Sequence, residues 1–221
     1  MLSFVAGIVN VSGVMQLQVL TTNVTGHFAY FAENIVLNKY APAIVFVFYV
    51  VTFLLGAFCS SLLTELFSRK SVVSAYAFPI SIEILSLLFV ALSGTATIAP
   101  DLVASVLLFA MGMQNALVSR ISNSVVRTTH LTGLFTDLGI DLSLLFFLKR
   151  SNLNKRKLRQ NISLKFIIIL FFFFGSVLGG FLVLEFQFKT LFVAVACLMV
   201  AMSYDYFKLR YVQLKRRLSQ H

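Results

Sequence analysis

The chain has 221 residues, 59% of them hydrophobic and 12% charged, with a formal net charge of +10. This composition excludes a soluble globular domain, because several apolar runs reach the roughly 20 residues that a bilayer core demands. The basic residues lie outside those runs, so the positive-inside rule accounts for them and nucleic-acid binding is not expected.

Residues 2–20 form an apolar segment interrupted by Asn10, Ser12, Gln16 and Gln18. No basic leader or small-residue cleavage site accompanies it, so it reads as a membrane segment rather than a signal peptide. After Thr21-Thr22-Asn23 a second helix is expected to about Lys39, followed by spans over 43–66 and about 72–92. Ser93 to Asp101, with Gly94 and Pro100, reads as a polar turn. The second half repeats this order: a helix over 102–119, a break over 120–129, a helix over 131–148, and spans over 164–187 and 190–207. A basic loop (Lys149, Arg150, Lys155, Arg156, Lys157, Arg159, Lys165) and a basic tail separate and follow these elements. Nothing alternates with strand period long enough to argue for a barrel. The expected fold is all-α, a polytopic membrane bundle of six to eight transmembrane or re-entrant helices.

The order repeats because the sequence does. Thr21-Thr22-Asn23-Val24-Thr25-Gly26 returns as Thr128-Thr129-His130-Leu131-Thr132-Gly133, an offset of 107 residues (128 less 21). Upstream, Gly7-Ile8-Val9-Asn10 returns as Gly112-Met113-Gln114-Asn115, an offset of 105 (112 less 7). The chain is therefore read as one integral membrane domain, 1–221, with a first repeat over 1–93, a second over 101–207 and a cytoplasmic tail over 208–221. Three crossings per repeat would invert the copies, and four would leave them parallel. Either count keeps the basic loop and the C-terminus on the cytoplasmic side.

Polar residues inside the apolar segments are the functional candidates. Thr and Asn cap helix N-termini and Gly permits close backbone approach, so each Thr-Thr motif reads as a helix that stops and restarts. Such a break is either a capped kink or the lining of a solute site, since broken helices survive in membranes only where protein or a cavity surrounds them. On the second reading Asn10, Thr21, Thr22, Asn23, Thr25 and Gly26 would meet Gln114, Asn115, Thr128, Thr129, His130, Thr132 and Gly133 around one solute. Arg127 would supply positive charge for an anionic solute; Leu20 stands at the matching place in the first copy. Glu83 lies near the middle of an apolar span, where an ionised group is costly, so it is expected to face the bundle interior. Asp137 and Asp141, four apart on one helix face, would pair with Arg120 or Arg127 or face water. These three carboxylates are the candidates for carrying a coupled proton. Cys59 and Cys197 stand at no metal spacing, and neither a metal nor a cofactor is expected.

Gly112-Met113-Gln114-Asn115-Ala116, then Thr128-Thr129-His130-Leu131-Thr132-Gly133, then Thr136-Asp137-Leu138-Gly139-Ile140-Asp141-Leu142, resemble the YoaK-like family of bacterial inner-membrane proteins of unknown function. Ala6 to Asn10, Thr22 to Gly26, and Glu83 in its apolar span extend the resemblance over nearly the whole chain. The family usually carries an acidic residue where this chain has Asn10. The resemblance implies a multi-pass fold and an inner-membrane location, and it implies no activity.

The function expected from these features is a small secondary transporter or permease for a small solute, an anion among the candidates, with a homodimer compatible with its small size and no enzyme activity expected. The alternative is a non-transporting scaffold or sensor that binds a partner or anionic lipid through the basic loop and tail.

Overall fold

The computed structural model describes residues 1–68, 72–121, 131–146 and 155–218. It is all-helical among those residues: α1 (Leu2–Leu17), α2 (Val24–Val36), α3 (Tyr40–Ser68), α4 (Val72–Thr97), α5 (Pro100–Ile121), α6 (Leu131–Phe146), α7 (Lys155–Phe186) and α8 (Leu191–Leu218), with a 3-10 turn, Gln187–Thr190, between the last two.

Local chemistry sets the ends. Gln18 takes a left-handed conformation (φ 58°) and stops α1. Asn23 caps α2, its side chain accepting from the Gly26 N–H at 3.2 Å. The far end of α2 closes on Asn38, also left-handed, with Lys39 N–H on the Asn34 carbonyl and Asn38 N–H on that of Ile35. That paired closure serves the orphan carbonyls of a helix terminus, and Asn tolerates the left-handed position better than most residues. Pro100 opens α5, where a missing N–H costs nothing, and Asp101 follows in the first turn. The Tyr49 hydroxyl reaches from α3 to donate to Asp101 at 2.7 Å.

The expected turn over 93–101 is narrower than the sequence suggested. α4 continues to Thr97, but Gly94 at φ 55°, ψ −157° breaks its path, a conformation open only to glycine. The basic loop is shorter too, because Lys155 to Lys165 belong to α7. Likewise α8 runs unbroken through 208–218, so most of the tail is helix. Lys, Arg, Leu and Gln are good helix formers whether or not they lie in lipid, so a change in polarity need not end a helix.

Four stretches are long and apolar enough to cross a membrane: Tyr40–Ser68, Ala75–Gly94, Pro100–Arg120 and Lys155–Tyr204. The last has 50 residues, about 75 Å if continuous, and the 3-10 turn divides it into α7 and α8. α1 is apolar but has 16 residues, and α2 has 13, about 20 Å against a core of about 30 Å.

The core is built by α1, α4, α5 and α8. Ile8, Leu87, Leu107, Met111, Leu191 and Leu198 are its largest sealed apolar side chains. α7 flanks this centre on α1, and α3 flanks it on α5; α2 lies on α3 and α6 on α7. Phe173, Phe181 and Leu184 of α7, with Leu54 and Phe58 of α3, point outward. An apolar exterior of that extent suits lipid and would aggregate in water.

Two close crossings hold the flanking helices. A Cβ on Gly7 would collide with the Phe172 carbonyl, and one on Gly175 with the Phe4 carbonyl, so α1 and α7 meet backbone to backbone. Gly112 meets the Phe53 carbonyl and Gly56 the Phe109 carbonyl in the same way, joining α5 to α3. Membrane helices gain little from excluding water, so small residues that allow this approach supply the packing.

Candidate functional site

Between these two crossings lies a cavity of about 780 Å³. α1 contributes Asn10; the break and the first turn of α2 contribute Leu20, Thr22, Asn23, Val24 and Thr25. Asn115, Ala116 and Ser119 come from α5, and Leu131 and Thr132 from the start of α6. Phe53 and Ala57 of α3 and Phe172 of α7 complete the lining.

Six residues singled out from sequence therefore share one cavity: Asn10, Thr22, Asn23, Thr25, Asn115 and Thr132. Thr22 is tied in directly, its hydroxyl donating to Asn10 Oδ1 at 2.9 Å across the break. Gly26 sits one turn into α2, where its N–H is taken by the cap. Gly133 occupies the matching turn of α6. Val24 and Thr25, the first residues of α2, line the cavity, so the positive end of that helix stands at its wall.

Other expected members stand apart from the lining. Thr21 is fully buried beside the cavity wall, its hydroxyl without a partner among the described residues. Gln114 is fully buried and donates to the Leu2 carbonyl at 3.3 Å, bracing α5 against the start of α1. Arg127, Thr128, Thr129 and His130 lie outside the described residues. His27 is buried behind the break, with its Nε2 2.8 Å from the Leu20 carbonyl. That contact selects the tautomer protonated at Nε2, since a carbonyl can only accept. Stacking on Phe46 and an edge contact with Tyr49 hold the ring.

The carboxylates take three different environments. Glu83 is 1% exposed, and neither oxygen has a partner among the described residues. An ionised carboxylate there would have no cation among the described residues to offset its desolvation. Asp141 is paired, its Oδ2 2.7 Å from Lys165 Nζ on α7. Asp137 is exposed on α6. The expected arginine pairing takes another form: Arg120 binds Glu65 at 2.6 Å and the Ser61 carbonyl at 2.8 Å, joining the end of α5 to α3. Arg120 is drawn to Glu65 because both lie at the same end of the α3–α5 crossing. Asp141 faces Lys165 because α6 lies on α7 and not on α5.

Sequence reasoning passed over Phe53, Phe172 and Lys165. Two phenylalanines among 24 carry no local mark of facing a cavity, and Lys165 reads as one more basic loop residue. A signal did exist for the glycines: Gly56 and Gly175 follow the same small-residue logic as Gly7 and Gly112.

These features define a helical membrane protein with a half-open cavity lined by polar and apolar side chains of α1, α2, α3, α5, α6 and α7. The chain belongs to a family of proteins of unknown function (DUF1275), whose model matches residues 1–204. No curated protein and no solved structure matches it.

Proposed function

We propose that the protein is a small secondary carrier of the bacterial inner membrane, built as two inverted copies of one unit, with the cavity as its solute site. The observation that carries this reading is the pairing of residues around the cavity. Asn10 and Asn115 stand 105 apart (115 less 10), Thr25 and Thr132 stand 107 apart (132 less 25), and Phe53 and Phe172 stand 119 apart (172 less 53). The glycine crossings keep the same spacings, 105 from Gly7 to Gly112 (112 less 7) and 119 from Gly56 to Gly175 (175 less 56). The step from 107 to 119 corresponds to 12 residues (119 less 107) gained between Thr132 and Phe172, a stretch that contains the basic segment. A cavity lined by equivalent positions of two copies lies on the axis that relates them, as solute sites of repeat-built carriers do.

Inversion follows from the repeat. α2, with 13 residues, is too short to cross and α6 is its equivalent in the second copy, so each unit has three crossing helices, α1, α3 and α4 in one and α5, α7 and α8 in the other. An odd number reverses the second copy. The tail, the basic residues between 149 and 165 and Arg69-Lys70 then share the cytoplasmic side, leaving Lys39 and Lys189 opposite. In this arrangement the half-helices α2 and α6 present their N-termini to the solute while rocking of the units opens one side or the other. Glu83, sealed in α4 without a partner among the described residues, carries the coupled proton. Asp137 of α6 and the Asp141–Lys165 pair that joins α6 to α7 form the charged side of the gate.

Uptake into liposomes reconstituted with purified protein tests this, with amino acids, sugars, organic anions and heterocyclic amides as solutes. Thr25→Trp, on the exposed first turn of α2, fills the cavity and should stop uptake of any solute the wild type moves while the protein elutes normally. Flat traces for every solute class with well-folded wild type would end the carrier reading. Uptake undiminished in Thr25→Trp would remove the cavity from it.

A further inference from the structure

The cavity chemistry narrows the solute, on the reading that the cavity is the solute site. We propose that it accepts a flat, uncharged ring amide, a heteroaromatic imide or carboxamide of nucleobase size, with its faces against Phe53 and Phe172 and its polar rim toward Asn10 and Asn115.

Charge comes first. The described lining has no ionisable side chain; its polar atoms belong to Asn10, Thr22, Asn23, Thr25, Asn115, Ser119 and Thr132. The described lining offers an ion only dipoles in exchange for its water, whereas a neutral amide exchanges one set of hydrogen bonds for another.

Shape comes second. The two aromatic linings come from α3 and α7, the helices that flank the cavity on either side through the glycine crossings. Phenyl rings favour flat apolar faces in stacked or edge-on contact. A sugar presents hydroxyls above and below its ring and would set them against carbon. An amide ring keeps its donors and acceptors in its own plane, so its rim can meet the polar side chains of the lining while its faces meet carbon. The Asn10 carboxamide suits such a rim, because its amide N–H donors stand beside the Oδ1 that accepts from Thr22. The carbonyl oxygens of the ring find a further match in the unpaired N–H groups opening α2. At about 780 Å³ the cavity lies within the roughly 300–1,000 Å³ of small-molecule sites, ample for a single ring with ordered water.

Equilibrium dialysis of the full-length protein in detergent tests the class, with labelled uracil and nicotinamide as probes, beside nicotinate, dihydrouracil and glucose. Saturable binding of at least one flat amide is expected, with dihydrouracil and glucose weaker and nicotinate weaker than nicotinamide. Phe53→Leu should weaken the amide by about tenfold, in line with the loss of one aromatic contact. Asn10→Leu should weaken it further, and elution and melting of both variants report whether they fold. Nicotinate binding tighter than nicotinamide, and lost in Arg127→Gln, would overturn the neutral class in favour of an anion. Binding of glucose alone, or of no probe, would overturn the flat-ring class. Amide binding without uptake by liposomes would keep the class and remove the carrier, whereas uptake of some other solute would do the reverse.

Discussion

The pair Asp141–Lys165 offers the most demanding test of how the second half-helix is held. Among the described residues α6 packs only on α7, and Leu134 is its one buried side chain. Burying that leucine contributes about 1.5–3 kcal/mol, and stranding one partner of the ion pair is a perturbation of comparable or larger size. At 2.7 Å and an effective dielectric near 20 the attraction is about 6 kcal/mol before desolvation is subtracted. The side chains are 11% and 14% exposed, so removing one partner strands a charge in a poorly solvated place, a loss of about 3–5 kcal/mol. Lys165→Met should cost more than Asp141→Asn, because an abandoned lysine can extend its ammonium toward the interface and an abandoned aspartate cannot. Replacing both partners removes the stranded charge, so Asp141→Asn with Lys165→Met should recover to within about 1 kcal/mol of the wild type. Size-exclusion elution after graded heating in detergent ranks the four proteins. A double variant as unstable as the sum of the singles, or singles that match the wild type, would refute this account of α6. The first half-helix provides the contrast: α2 is held on α3 by His27 and Tyr30 stacked on Phe46, with no ion pair in that contact.

Gly112→Leu should prevent stable folding, since even its first carbon would collide with the Phe53 carbonyl, whereas Gly139→Ala meets nothing within 4 Å and should stabilise α6 by up to about 1 kcal/mol through helix propensity. Expression and melting of the two variants compare a glycine at a crossing with one at a free helix face. Glu83→Gln keeps shape and neutrality, so melting should change by less than about 1 kcal/mol while proton-driven uptake stops; unimpaired coupled uptake would discharge Glu83 from its role. Arg120→Gln should cost about 0–1 kcal/mol, because its ion pair with Glu65 is 38% and 60% exposed, and a larger drop in melting would mean that the Ser61 carbonyl contact dominates.

Much of the cavity could be read before any coordinates. A Thr or Asn inside an apolar run has no reason to face lipid, so Asn10, Thr22, Asn23, Thr25, Asn115 and Thr132 stood out, and all six line the cavity. Glu83 was expected inside the bundle for the same reason and is sealed there. The break after α1 was visible in Thr21-Thr22-Asn23, and Asn23 does cap the next helix. Sequence was silent on which apolar side chains face inward. In water a helix sorts its residues by polarity, but in lipid a phenylalanine is equally at home against a neighbour, a cavity or an acyl chain. Phe172 and Phe173 are therefore alike in sequence, yet Phe172 lines the cavity and Phe173 points outward, because the Gly7–Gly175 crossing sets the rotation of α7. The same contact between α6 and α7 made Lys165 the partner of Asp141. The sequence by itself determined that the chain is a membrane bundle and which polar groups it keeps from lipid. Only the tertiary structure decided which aromatic and charged groups those polar residues meet, because close helix crossings, and not polarity, set how each helix is turned.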